Sequence, residues 1–495
     1  MGNTLKKKEL IKVIEQALDS GELAIFAGAG LSIDAGYCSW QDLLSEAAKE
    51  IDLDIERESH DLISLAQFYC NIKKRNAIDE LLTTKFPTNV KPTENHKLLS
   101  QLPISTYWTT NYDTLIEDAL KNNNKKVSVR KSDKDLQLSF KNYDSIVYKM
   151  HGDIYSPSKA VITKDDYEEY GINSRKLFRD VLEGNLLTKT FLFLGFSFSD
   201  PNFNFVISKM RVLLGDSSRA HYCILKNISK PNKDDYREQE KYEIAIRDYK
   251  YSSIKQDLQI NDLNRYGIKV YLIDNYSEIT DILRTLLNKY RRKTVFISGS
   301  AEKYSPISEK KAQNFIRKLS FELVKNGYKI VNGYGLGVGT YVINGITEYC
   351  YDHREIDIEN RLKLMPFPLS AIDNKDLKDT WEKYRKEMIS KCGIAIYIFG
   401  NKKKNGEILN ADGVKKEYAI AESYEIVNIP LAFTGYTAKE LYSINSDKIN
   451  SIIGKEKTKY ITEFFEGNTN VEEIIKIINK LNNKEEWSYN KKNIF

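Results

Sequence analysis

The chain has 495 residues, more than one ordinary core holds, so two or more domains are expected. Apolar residues at 41% and charged residues at 29% describe a globular chain and exclude a disordered or fibrous one. The net charge of +6 is small for this length, and runs such as Lys6-Lys7-Lys8 and Lys402-Lys403-Lys404 read as solvated surface, so nucleic acid is not an expected partner.

The five cysteines (Cys38, Cys70, Cys223, Cys350 and Cys392) form no CxxC pair, which argues against a disulfide framework and a zinc ribbon and suits a reducing compartment. No segment approaches the ~18 apolar residues of a membrane span, and the charged N-terminus lacks a signal core. A cytoplasmic protein with no membrane partner and no bound metal is expected.

In chain order, residues 5–19 carry apolar positions at helical spacing and stop at Asp19-Ser20-Gly21. LAIFAGAG follows as a buried strand that breaks into a glycine turn at the start of a helix. WQDLLSEAAKEI and DLISLAQFYCNI, within 40–86, read as amphipathic helices. ISTYWTTNYD, DSIVYKMHGDI and KTFLFLGFSF read as strands ending in polar residues, and HYCILK and KVYLID as two more. Strands alternating with helices imply an α/β fold with a parallel sheet.

The pattern restarts at 294. TVFISGSA is a strand, ISEKKAQNFIRKLSFELVKNG a helix, and YKIVNGYGLGVGTYVINGI a strand; GIAIYIFGN, the helix GVKKEYAIAESY and the strand IVNIPLAF follow. VEEIIKIINKLNNKEEW reads as a closing amphipathic helix. The charged stretch at 283–293 marks the expected boundary between a domain of residues 1–287 and one of residues 288–495.

Ligands of open parallel sheets bind beyond the carboxyl ends of the strands. In the first half those ends carry Gly28–Ser32, Thr110–Asp113, His151–Asp153 and Gly195–Asp200. A glycine turn lets a pyrophosphate approach the chain, and N–H groups at a helix start bind phosphate. Histidine near its ordinary pKa suits proton transfer. An Asn amide can orient a water by giving one hydrogen bond and accepting another. Asp113 either contacts a carboxamide or caps a helix, and Asp200 either contacts ligand or caps the helix begun by Pro201. His60, His96, His221 and His353 lack a supporting context and receive no role.

GAGAGLS, TTNYD, MHGD and GFSFSDPNF, in that order, resemble the short sirtuin-like branch found in bacterial defence proteins, over about residues 10–285. The resemblance implies a Rossmann-type sheet that takes NAD as substrate. It assigns the pyrophosphate to Gly28, Ala29, Gly30 and Ser32, the nicotinamide ribose to Asn111, the catalytic histidine to His151 and the adenosine side to Gly195 and Ser197. The four-cysteine zinc module of deacetylating sirtuins is missing, and AGYCSW stands where their proline-aspartate-phenylalanine stretch belongs. With no acyl-lysine partner, water becomes the acceptor, and NAD glycohydrolysis is the expected reaction.

In the second half Gly299 and Ser300 end one strand, and Gly333, Gly335, Gly337 and Gly339 follow another at alternate positions, a spacing that suits close approach to phosphates. Residues 290–480 resemble the SLOG family of Rossmann-like nucleotide sensors. Its enzymatic members carry an Arg and a Glu, matched here by Arg385 and Glu417. GVKKE replaces the usual PGGxGT, so binding is expected rather than catalysis, with Arg385 and Lys402 toward phosphates and Glu417 toward ribose hydroxyls.

A sirtuin-like domain followed by a SLOG domain resembles the NAD-depleting effectors of the Thoeris anti-phage system. That resemblance implies a cyclic ADP-ribose-type messenger from a TIR-domain partner protein, bound by the second domain to release hydrolysis in the first, in a homo-oligomer, expected to be a tetramer. Two other readings stand beside it: a two-site nucleotide sensor without turnover, and a sirtuin-type deacylase or ADP-ribosyltransferase.

Overall fold

The computed structural model describes residues 4–58, 61–87, 89–138, 142–172, 174–215, 219–354, 356–368 and 377–483. His60, Met1–Asn3 and the end of the last expected helix (484–487) lie outside them. The chain divides into two compact units, Met1–Leu287 and Asn288–Phe495.

Among the described residues the first unit has seven strands: β1 Leu23–Ala27, β2 Thr106–Thr109, β3 Val127–Arg130, β4 Ser145–Lys149, β5 Thr190–Leu194, β6 His221–Lys226 and β7 Ile268–Ile273. Their order is β3-β4-β2-β1-β5-β6-β7, and every pairing is parallel. β1 is LAIFA, wholly buried, because helices cover both faces of a parallel sheet and no position is left for a polar side chain. Phe26 of β1 meets Phe196 at 4.6 Å and Phe203 at 5.1 Å between ring centres, within a phenylalanine cluster that extends to Phe191 and Phe193 of β5.

The second unit has β8 Thr294–Ser300, β9 Lys329–Asn332, β10 Leu362–Leu364, β11 Ile394–Phe399 and β14 Val427–Pro430 in the order β10-β9-β8-β11-β14, again all parallel. A separate hairpin pairs β12 Asn401–Lys404 with β13 Glu407–Asn410. Among the described residues no helix is long and apolar enough to cross a membrane.

Three local expectations change. The glycine turn after β1 does not open an α-helix: Ala29–Leu31 and Ile33–Ala35 are short 3₁₀ turns, ended by Gly36 at φ +97°, and the next α-helix waits until Trp40. The expected strand over 328–346 stops at Asn332, whose side chain accepts from Tyr334 N and donates to Ile297 O; a helix starts at Gly339. Glycine alternating with apolar residues imitates a strand's period of two. β3, whose sequence is VSVR, escaped the reading because four alternating residues at a sheet edge carry no apolar run.

Candidate functional site

β1 lies between β2 and β5, so the chain leaves β1 toward one side of the sheet and later returns on the other. Beyond such a switch point the strand-end loops diverge and leave a crevice. Here it is a cavity of about 350 Å³. Its wall contains Gly28, Ala29, Gly30 and Ser32 after β1, Asn111 and Asp113 after β2, His151 after β4, and Gly195, Ser197 and Asp200 after β5. The sequence reading missed the aromatic and apolar wall of Tyr37, Trp40, Leu62, Ile63, Phe86 and Tyr167. Tyr37 stacks on Phe86 at 5.3 Å, and Phe86 stands edge-on to Tyr112 at 5.8 Å. Only the departure at AGYCSW hinted at this wall, because aromatic residues at helical spacing otherwise read as core.

The glycines are required by each other. A Cβ on Gly28 would stand 2.4 Å from Gly195 O, and one on Gly30 2.8 Å from the Gly195 Cα; Gly195 itself has φ +63°. Gly28 N donates to Leu194 O and Gly30 N to Gly195 O, while Leu31 and Ser32 bond back into the turn. Within 28–32 this leaves the Ala29 N–H as the donor the turn offers a phosphate, not the cradle expected of a helix N-terminus. Gly28→Ala is therefore expected to cost about 1–3 kcal/mol of unfolding free energy through backbone displacement, measured by denaturant titration.

Asn111 is fixed rather than free to turn. Its Nδ2 donates to Gly28 O (3.0 Å) and Ser32 Oγ (3.1 Å), and Ser32 Oγ donates onward to Asp113 Oδ2 at 2.8 Å. Both amide protons are spent, so Asn111 presents only its Oδ1, an acceptor, to the cleft; the expected give-and-take with a water becomes acceptance alone. Ser32 keeps no proton for a phosphate. Asp113 Oδ1 accepts from Leu115 N at 3.0 Å, so Asp113 anchors a helix start and the network while lining the cleft.

His151 is buried, with its Nε2 3.0 Å from Asp200 Oδ2. Asp200 caps the helix Pro201–Leu214 by accepting from Phe203 N at 2.8 Å and also accepts from the Tyr167 hydroxyl at 3.2 Å. Burial pushes its carboxyl up, yet His151, Phe203 N and Tyr167 outweigh that and hold it below the usual carboxylate value. The Tyr167 ring stands edge-on to the imidazole at 5.5 Å. One carboxylate thus joins the helix cap to the histidine, a pairing invisible in sequence because 49 positions separate the two.

In the second unit the glycines again answer to backbone. A Cβ on Gly335 would meet Gly299 O at 1.9 Å, one on Gly337 would meet Ala301 O at 2.0 Å, and one on Gly333 would meet the Phe367 ring at 2.9 Å. Ser300 Oγ is spent on Asn401 O. Arg385 and Glu417 are both buried and face each other at 3.4 Å, with Ser298 Oγ donating to Glu417 at 2.6 Å and the Arg385 guanidinium 4.8 Å from the Phe367 ring centre. Lys402 is not beside them in contact: it sits on the β12–β13 hairpin, half exposed, paired with Asp412 at 2.6 Å. Among the described residues no cluster of His, Cys, Asp or Glu could hold a metal ion.

Two family models match the chain: a SIR2-like domain over residues 105–246, and the Sir2- and TIR-associating SLOG family over residues 278–485. Three similar proteins each bear the name NAD(+) hydrolase ThsA. The one from Enterococcus faecium is 42% identical over 96% of this chain and 99% of its own. That of Cytobacillus dafuensis is 45% identical over 90% of each, and that of Bacillus cereus (strain MSX-D12) 43% over 85% of each.

Proposed function

The chain belongs to the ThsA family of NAD(+) hydrolases, and from that membership we propose that its first unit cleaves NAD into nicotinamide and ADP-ribose in the cleft beyond β1. The observation that carries this reading is the convergence of an outward-facing Asn111 acceptor and the Asp200-paired His151 on one cavity. The C–N bond to nicotinamide breaks, and its electron pair leaves with the ring, which becomes neutral. An oxocarbenium-like ribose remains. Asn111 Oδ1 accepts from a ribose hydroxyl or the incoming water and so fixes its orientation. His151 takes the proton lost as water adds to the anomeric carbon. The aromatic wall of Tyr37, Trp40 and Phe86 excludes bulk water around the planar leaving group.

Asp200 orients the imidazole. Asp200→Asn keeps a competent helix cap but loses the anionic partner. It is expected to retain its melting temperature within a few degrees while kcat falls by on the order of 10², toward the lower end for a lost acid–base arrangement.

We further propose that the second unit binds a cyclic ADP-ribose-type messenger made by a TIR-domain partner. The buried Arg385 and the hairpin Lys402 supply charge for its phosphates, and Glu417 faces its ribose hydroxyls. A cytoplasmic enzyme that drains NAD must rest in a latent state. A ligand shifts that balance only by preferring the active state, and moving it from about 1:99 to 99:1 requires roughly 5.5 kcal/mol of differential binding. Several charge-assisted contacts repeated across a homo-oligomer, a tetramer in this reading, supply it.

The test is chromatography of purified full-length protein with NAD, with and without a cyclic ADP-ribose isomer. Nicotinamide and ADP-ribose in equal amounts, released faster with the isomer, support both proposals. Equal release with and without every isomer tried overturns the sensor. No release under any condition, or release that depends on acetyl-lysine, overturns hydrolysis.

A further inference from the structure

We propose that Lys149, seated by its buried ion pair with Glu117, is a positioning residue that holds the Asn111 loop in register with His151, an inference that rests on the reading of Asn111 and His151 as catalytic groups. Lys149 is the last residue of β4, two positions before His151, and its side chain is wholly buried. Glu117, also buried, lies in the first turn of the helix Leu115–Asn122, which begins four residues after Asn111. Lys149 Nζ stands 3.1 Å from Glu117 Oε1. It also donates to the main-chain carbonyls of Asp113 and, at 3.4 Å, Tyr112. One ammonium on the histidine's strand therefore grips the loop that carries the asparagine.

Neither Lys149 nor Glu117 lines the cleft, so neither touches substrate. The far side of the strand end is braced as well: Arg175 Nη1 donates to Lys149 O at 2.9 Å and Nη2 to Lys159 O at 3.0 Å. Burying an ammonium and a carboxylate is costly, and well-packed apolar residues in their place are often neutral or stabilising. Stability alone gives no reason for this pair. What an apolar pair cannot do is donate hydrogen bonds to the Tyr112 and Asp113 carbonyls. Without them Asp113 O loses the lysine's proton while the bonds through Ile154 N, Ser32 and Gly28 O remain, and a residual displacement near 1 Å can cost on the order of 10² in rate.

The experiment uses the full-length protein. The double variant Lys149→Met/Glu117→Met removes both charges and keeps the volume. Its melting temperature is expected to fall by a few degrees, because Asp113 O loses a donor, with kcat at least about tenfold lower and KM changed less. Glu117→Gln leaves the lysine's bonds to the carbonyls in place and is expected to keep kcat within about threefold even where it melts earlier. If the pair acts through Asn111, adding Asn111→Ala to the double variant lowers kcat no further than Asn111→Ala alone, since residues acting as a unit are not additive. A double variant with parental kcat overturns the proposal, as does a folded Glu117→Gln as slow as the double. Should the double fail to fold, Lys149→Gln/Glu117→Gln, which removes both charges with less change of polarity, takes its place: kcat at least about tenfold lower supports the proposal and parental kcat overturns it. Asn111→Ala alone separates the two levels: parental turnover there sinks the catalytic reading itself, whereas an inactive Asn111→Ala beside a fully active double sinks only the positioning role.

Discussion

Exchange of His151 or of Asn111 for alanine is expected to lower nicotinamide release at saturating NAD by about 10²–10⁴-fold, the range for loss of a positioned proton-transfer group. The two variants differ in what they disturb. Without the imidazole, Asp200 still accepts from Phe203 N and the Tyr167 hydroxyl, so its carboxylate remains bonded and the helix Pro201–Leu214 remains capped. Without the Asn111 amide, Gly28 O and Ser32 Oγ each lose a donor inside the cleft wall. Asn111→Ala should therefore melt lower than His151→Ala, by about 1 kcal/mol, since Gly28 O keeps Leu31 N and Ser32 Oγ loses its donor, while both lose turnover. Circular dichroism melts paired with nicotinamide quantification check both halves of the statement. Near-parental kcat in either folded variant removes that residue from the mechanism.

The strand ends were readable because each buried strand is an unbroken apolar run that stops abruptly in polar residues, as TYWT does before Thr110-Asn111 and TFLFL before Gly195. Parallel topology then requires those ends to lie along one edge, so the sequence reading assembled Asn111, His151 and the glycines without any coordinates. The glycines have a second reason that sequence does not show. Gly28 reads as space for a pyrophosphate and Gly195 as flanking the adenosine side, yet each also leaves room for the other's backbone. Nothing in a single sequence distinguishes a glycine facing a ligand from one facing another loop. Pairings across long separations were equally out of reach: His151 with Asp200, Lys149 with Glu117, and Arg385 with Glu417 depend on register and side-chain direction. Arg385 and Lys402 each read as a cation for a phosphate, and only the fold reveals one as buried against a carboxylate and the other as tethered on a hairpin.

That burial decides how the sensor must be tested. Arg385→Ala is expected to abolish activation by a cyclic ADP-ribose isomer, but it also strands Glu417 with Ser298 as its remaining bonding partner. Breaking one side of a buried pair costs about 3–5 kcal/mol, so lost activation alone would not separate a missing phosphate contact from a loosened unit. The pH dependence identifies the structural share. Burial already pushes the Glu417 carboxyl above its usual value, against the pull of Ser298 and Arg385. A carboxyl raised in the folded state binds its proton more tightly there, so its favourable contribution is complete below the unfolded value and fades as pH rises through the folded one. Removing the guanidinium raises the folded value further. The stability deficit of Arg385→Ala should accordingly shrink as pH falls and grow as pH rises. The double variant Arg385→Met/Glu417→Met carries no stranded charge and is expected to recover most of the melting temperature while remaining unresponsive to the messenger. Calorimetry of the isomer on each full-length variant, beside NAD turnover with and without it, completes the test. If the double variant folds, binds the isomer and is activated like the parent, the Arg385–Glu417 pair is a structural strut and the messenger site lies elsewhere.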